Sequence, residues 1–269
     1  MNYFFSVLSG MIQGLTEFLP VSSSGHLVIL HEVFSFDLPN DLLFDLMLHW
    51  GTLLAILIFF WKDIWQVING FFSSLIKWNV QGDNNQRLAW QIILATIPAA
   101  SIGFVFGQKI EDSVRSVPVV AVMFILIAGL FWLAEKYSTK LKTLNEMPFW
   151  SALGIGVAQV LAFIPGTSRS GITIITGLWL KLKREEAARF SFLLSAPLIF
   201  GAGVKQLSAV KLITADNALL MLIGLVTSAV VGYIVIKFLL KYLTTHSLGV
   251  FAWYRLVLGV AVLAWWLIK

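Results

Sequence analysis

The chain has 269 residues, 58% hydrophobic and 12% charged, too few charged side chains to coat a water-soluble globule, so a bilayer is its natural solvent. The net charge of +5 sits in short loops between apolar stretches, which argues against a nucleic-acid-binding face. Cysteine is absent, which excludes disulfides, thiolate catalysis and Cys-based metal sites.

The N-terminal residues lack a basic stretch and a small-residue cleavage site, so a removable signal peptide is not expected. Spanning about 30 Å of hydrocarbon takes roughly 20 apolar residues as a helix. The first apolar stretch, 4–30, is interrupted by Pro20-Val-Ser-Ser-Ser-Gly-His26. Spans are expected over 42–61, 88–107 and 117–134. A second interrupted stretch follows at 149–180, broken by Pro165-Gly-Thr-Ser-Arg-Ser-Gly171, and further spans are expected over 188–204, 218–236 and 250–268. Backbone freed by such breaks is tolerated at membrane depth only where protein or a wet cavity satisfies it.

Basic residues orient these pieces. Lys136, Lys140 and Lys142 precede the second interrupted stretch and Lys181, Lys183, Arg184 and Arg189 follow it, so both flanks are expected in the cytoplasm and the stretch is expected to be re-entrant. Propagation places Lys62, Lys77, Arg87, Lys237 and Lys241 inside. Lys109, Arg115, Lys205, Lys211, Lys269 and the loop with Glu32, Asp37 and Asp41 fall outside. Arg169 and Arg255 lie within apolar segments.

The first half also recurs in the second. Phe18-Leu-Pro20 returns 145 residues later as Phe163-Ile-Pro165, Ser22-Ser23 as Thr167-Ser168, and Phe44 to His49 as Phe190 to Ser195. The expected fold is therefore an all-α integral membrane protein, one membrane domain of two inverted-topology repeats, 1–142 and 143–269. Each repeat is a re-entrant broken helix plus three transmembrane helices, with the two breaks meeting near the midplane.

Ionisable residues inside membrane segments are costly and mark a site by default. Gln13 and Glu17, four apart, share a helix face ahead of Ser22, Ser23, Ser24 and His26, offering a carboxylate, a nucleophile and a base. In Gly166-Thr167-Ser168-Arg169-Ser170-Gly171 a guanidinium sits where a helix start points N–H groups at an anion. His49 is a further candidate for binding, and Arg255 is read as a structural partner of a carboxylate or carbonyl. Small hydroxyl residues also serve close helix packing, but Arg169 is harder to absorb that way, since an unpaired membrane arginine costs on the order of 3 kcal/mol or more.

The two motifs, Gln13 to His26 and Pro165 to Gly171, resemble the signatures of the undecaprenyl-diphosphate phosphatase family associated with bacitracin resistance, a resemblance that runs the length of the chain. It implies hydrolysis of a polyprenyl diphosphate lipid to the monophosphate and inorganic phosphate in the bacterial inner membrane, with the site opening to the periplasmic side. A divalent cation, Mg²⁺ or Ca²⁺, would be held by Glu17 and Gln13, although family members often carry glutamate where this chain has Gln13. By motif position Glu17, Ser23, His26 and Arg169 match the family's essential residues, while Ser22, Ser24, Gly166, Thr167, Ser168, Ser170 and His49 would bind substrate. Either Ser23 activated by His26 attacks phosphorus, or His26 activates water. A lipid-phosphate transporter or flippase is the alternative to a hydrolase, and a homodimer is admitted.

Overall fold

The computed structural model describes residues 3–34, 41–206 and 213–269, so Asp37 and Lys211 lie outside the described residues. Among those residues the chain is a helical multi-pass membrane protein without a strand beyond one isolated bridge. In chain order the helices are α1 (Tyr3–Phe18), α2 (Ser23–Phe34), α3 (Asp41–Phe59), α4 (Trp61–Ile76), α5 (Asn84–Val105), α6 (Gly107–Val114) and α7 (Val117–Tyr137). They continue as α8 (Phe149–Gln159), α9 (Arg169–Trp179), α10 (Arg184–Lys205), α11 (Ala215–Leu243) and α12 (Gly249–Ile268), with a 3₁₀ turn, Val160–Phe163, carrying α8 to the second break. Among the described residues five helices, α5, α7, α10, α11 and α12, are each long and apolar enough to cross a bilayer.

The expected span 42–61 ends two residues early. Its helix turns by 81° at Phe60 into α4, which hydropathy alone did not separate from a loop. Helix α4 exposes Trp61, Trp65, Ile68, Phe72 and Ile76 at intervals of three or four residues, an apolar stripe along one face. Its buried Gly70 lies so close to α5 that an added Cβ would stand 2.5 Å from the Asn85 carbonyl carbon.

Packing exchanges elements between the halves. The first arm of each broken stretch lies on a long helix of the other half, α1 on α11 and α8 on α5, while α7 pairs with α12 and α3 packs mainly on α11 and, less extensively, on α10. Lipid supplies little hydrophobic drive between helices, so these seams use small residues. A Cβ on Gly14 would approach the Ser228 carbonyl oxygen to 2.8 Å, and one on Gly156 would approach that of Ala95 to 2.3 Å.

The second broken stretch leaves and returns at one end of the bundle. Leu141 and Lys142 N–H donate to the Lys181 carbonyl at 3.0 and 2.8 Å, and Lys183 N–H donates to that of Lys142 at 2.9 Å. At the same end Arg184 grips Glu135 with two N–H groups at 2.8 and 2.6 Å, Lys140 pairs with Glu135 at 3.0 Å, and Arg189 pairs with Asp63. At the opposite end Lys269 pairs with Glu32 at 2.8 Å, and Lys205 Nζ donates to the Phe104 carbonyl at 3.2 Å. In each of these pairings, residues expected on one side of the membrane contact one another.

This clasp predicts that single cysteines replacing Lys140 and Lys183 react with a membrane-impermeant thiol reagent from the same face of sealed vesicles. Labelling from opposite faces would contradict it, and the cysteine-free chain gives no background.

Candidate active site

The two breaks meet, and they share a cap geometry. Ser22 and Ser168 both hold left-handed φ angles, 77° and 74°. Each caps the helix after it, Ser22 Oγ accepting from Gly25 N–H at 3.3 Å and Ser168 Oγ from Gly171 N–H at 3.0 Å. The geometric correspondence between the breaks therefore runs at 146 residues, one more than the Pro20 to Pro165 pairing suggested. Proline draws the eye, but the residue that must bear the positive φ and the cap is the serine before each new helix. In this register Ser23 and Arg169 are equivalent first residues of α2 and α9, Gln13 corresponds to Gln159, and Glu17 corresponds to Phe163. One break supplies the carboxylate and the other the cation.

Glu17, 8% exposed, joins them. Its Oε1 accepts from Arg169 Nη2 at 2.8 Å, and its Oε2 accepts from Ser23 Oγ at 2.7 Å and from Gln13 Nε2 at 3.1 Å. His49 Nε2 stands 3.9 Å from Oε2. The guanidinium is held on its other side, where Nη1 donates to the Ser191 carbonyl at 3.0 Å. Ser191 Oγ in turn lies 2.7 Å from Thr173 Oγ1, and Ser170 Oγ donates to the Glu17 carbonyl at 3.2 Å. Gln13 must turn its amide nitrogen to the carboxylate, so its Oε1 faces away, buried and without a hydrogen-bond partner. Thr167 Oγ1 in the second break is likewise buried and unpartnered.

Of the residues expected to work together, Gln13, Glu17, Ser23 and Arg169 are in direct contact. His26 is not bonded to Ser23. Its Nδ1 lies 2.7 Å from the Ser22 carbonyl oxygen and its Nε2 lies 2.7 Å from the Tyr254 hydroxyl. Ser22 and Ser24 share a hydrogen bond at 3.3 Å, and Ser168 and Ser170 share one at 3.2 Å. Gly166 holds a φ of 92°, and an added Cβ would meet the Val120 carbonyl oxygen at 2.8 Å. His49 reaches the cluster only at its edge, with Nδ1 on the Asp45 carbonyl.

Arg255 holds the breaks together. Fully buried, it donates to the Pro20 carbonyl at 3.1 Å, to the Gly166 carbonyl, to that of Thr167 at 3.2 Å and to that of Met123 at 3.4 Å, with its guanidinium 5.2 Å from the Phe124 ring. It supplies donors to the carbonyls that interrupting the helices sets free. Tyr254, beside it, carried no motif, and Ser191 stood in the Phe190 to Ser195 repeat with no role assigned to it. An aromatic belt near a membrane surface hides the first, and a backbone carbonyl leaves no side-chain signal for the second.

The chain matches the family described as bacitracin resistance protein BacA over residues 6–261. It is 45% identical over 262 residues to the undecaprenyl-diphosphatase of Rubrobacter xylanophilus, covering 96% of each chain. To the undecaprenyl-diphosphatase of Desulforudis audaxviator it is 41% identical, over 98% of this chain and 97% of the relative, and to that of Trichlorobacter lovleyi 42%, over the same shares.

The Arg255 geometry predicts a stability effect. Arg255→Lys keeps the charge but replaces a fork by a point donor that cannot reach carbonyls of both breaks. Unfolding in detergent should become easier by on the order of 3 kcal/mol, the cost of leaving buried carbonyls without donors. An unchanged unfolding midpoint would remove Arg255 from this role.

Proposed function

Since the chain belongs to the BacA family, we propose that it hydrolyses undecaprenyl diphosphate to undecaprenyl phosphate and inorganic phosphate in the bacterial cytoplasmic membrane. The reading is carried by one observation, the Glu17 carboxylate bonded at once to a hydroxyl of one break and to the guanidinium of the other. Phosphoanhydride hydrolysis needs charge neutralised on the phosphates, an activated nucleophile and groups that move protons. Arg169 has five N–H donors, and the bonds to Glu17 and Ser191 use one each, so the rest of the fork is available to phosphate oxygens. The first-turn N–H groups of α2 and α9 add two helix N-termini beside it.

Ser23 is the nucleophile in this reading, because its hydroxyl already donates to a carboxylate 2.7 Å away. Its Oγ attacks the terminal phosphorus, the bond to the bridging oxygen breaks, and undecaprenyl phosphate departs with that electron pair while Glu17 holds the serine proton. Water then attacks the phosphoserine. The bond from phosphorus to the serine oxygen breaks, Glu17 returns its proton to that oxygen, the proton of the water passes through His26 to solvent, and inorganic phosphate is freed. The polyprenyl tail stays in lipid throughout, which is why a hydrolytic site belongs at membrane depth.

The donors present suit a hard cation. Gln13 Oε1 is a buried oxygen without a partner that turning the amide over would bring to the Glu17 carboxylate, and no group of three or more His, Cys, Asp or Glu side chains suited to a metal occurs among the described residues. That set fits Mg²⁺ or Ca²⁺ completed by diphosphate oxygens better than an ion held by protein alone. Gln13 and Glu17 would hold it, and when bound it would supply further neutralisation of the phosphate charge. The end of the bundle that carries the Glu135, Arg184 and Lys140 clasp is basic, which supports a cytoplasmic placement for it and a site opening to the outer face. The exchanged packing of the halves supports inverted repeats.

Purified protein supplied with undecaprenyl diphosphate in detergent micelles tests the reading by phosphate release. Arg169→Lys should lower kcat on the order of a hundredfold, because the charge stays but the planar fork is lost. Ser23→Ala should lose nearly all turnover. A lysine variant at position 169 with wild-type turnover would show that the phosphate binds elsewhere.

A further inference from the structure

The mechanism leaves His26 away from Ser23, and the surroundings of its ring say why. The Ser22 carbonyl oxygen, 2.7 Å from Nδ1, can only accept, so Nδ1 carries a proton. In the neutral ring the lone pair then belongs to Nε2, and the Tyr254 hydroxyl 2.7 Å away is its donor. The phenol ring lies nearly parallel to the imidazole, 6° apart in plane with centroids 5.8 Å apart, and the Phe124 ring stands against the imidazole at 5.5 Å. Gly25 lets that contact form, since a Cβ there would meet Phe124 Cε1 at 2.7 Å. Turning the imidazole towards Ser23 would break both ring hydrogen bonds. Ser23 is meanwhile committed to Glu17.

We infer that Tyr254 is a positioning residue of the hydrolytic site, holding His26 in its Nδ1–H form by a hydrogen bond donated to Nε2. Two proton paths are thereby kept apart. Ser23 exchanges its proton with Glu17, and Nε2 of His26, kept unprotonated by the phenol it accepts from, takes the proton of the later-attacking water when that hydrogen bond opens. Tyr254 comes from α12, outside both motifs, and its neighbour Arg255 fixes the helix position by donating to the carbonyls of both breaks. The role in catalysis rests on the phosphatase reading above, whereas the tautomer does not.

Two measurements on the full-length protein in micelles test the inference. With histidine labelled by ¹⁵N, and the His26 signals assigned by their loss in His26→Ala, wild-type protein should show a protonated Nδ1 and an unprotonated Nε2. Tyr254→Phe, which keeps the ring and removes only the hydroxyl, should shift the Nε2 resonance. It should also lower kcat by about tenfold or more, the scale seen when a partner that orients a histidine is lost, with KM changed by less than about twofold. A proton on Nε2 instead of Nδ1 in the wild-type protein would overturn the inference, as would Tyr254→Phe with unchanged ¹⁵N shifts or wild-type kcat. Absence of phosphate release from wild-type protein would sink the phosphatase reading, and the ¹⁵N pattern would then decide the tautomer on its own.

Discussion

The structure depends on how an arginine with no exposed surface satisfies backbone carbonyls that two interrupted helices set free. Hydrocarbon offers no water to a bare carbonyl, so a break at membrane depth survives only where the protein supplies donors. Arg255 supplies them to Pro20 in the first break and to Gly166 and Thr167 in the second. One side chain therefore ties the backbone of the two breaks together, and the Arg169–Glu17 and Ser170–Glu17 contacts form across the junction it holds.

Held together in this way, the breaks divide the labour between them. The cap geometry at Ser22 and Ser168 starts α2 and α9 in matching ways and brings Ser23 and Arg169 to equivalent positions on either side of Glu17. Phe163 occupies the position that corresponds to Glu17, so a single carboxylate is shared by a hydroxyl and a guanidinium. The pairing keeps Arg169 oriented, which would otherwise be costly at this depth, and it keeps Ser23 beside a proton acceptor. Small-residue seams at Gly14 and Gly156 let α1 and α8 lie close against α11 and α5 and so carry the breaks to the centre.

Much of this was legible in the sequence, because burying charge or breaking a helix in lipid leaves marks in composition. The spans, both breaks, Glu17, Arg169 and the grouping of basic loops could be read from hydropathy, proline and charge. Other features could not. Helix α4 alternates Lys62, Asp63, Gln66 and Asn69 with aromatic residues, which averages to a loop in hydropathy but forms a helix bent by 81° from α3 in three dimensions. The offset between the breaks is set by backbone dihedrals at Ser22 and Ser168, not by the prolines that mark them. The nearness of His26 and Ser23 in sequence suggested a nucleophile and its base, yet three residues along a helix turn the imidazole towards α12, where only the fold reveals Tyr254.

In the proposed mechanism the serine of one break and the arginine of the other act on a single phosphate across Glu17. Its most direct test is a rapid acid quench of wild-type protein during turnover of undecaprenyl diphosphate carrying ³²P in the terminal phosphate, with peptide mapping of the quenched protein. The mechanism predicts label on the peptide that contains Ser23, as phosphoserine, and its absence in Arg169→Lys. Steady phosphate release with no labelled peptide at any quench time would contradict it and assign the attack to water.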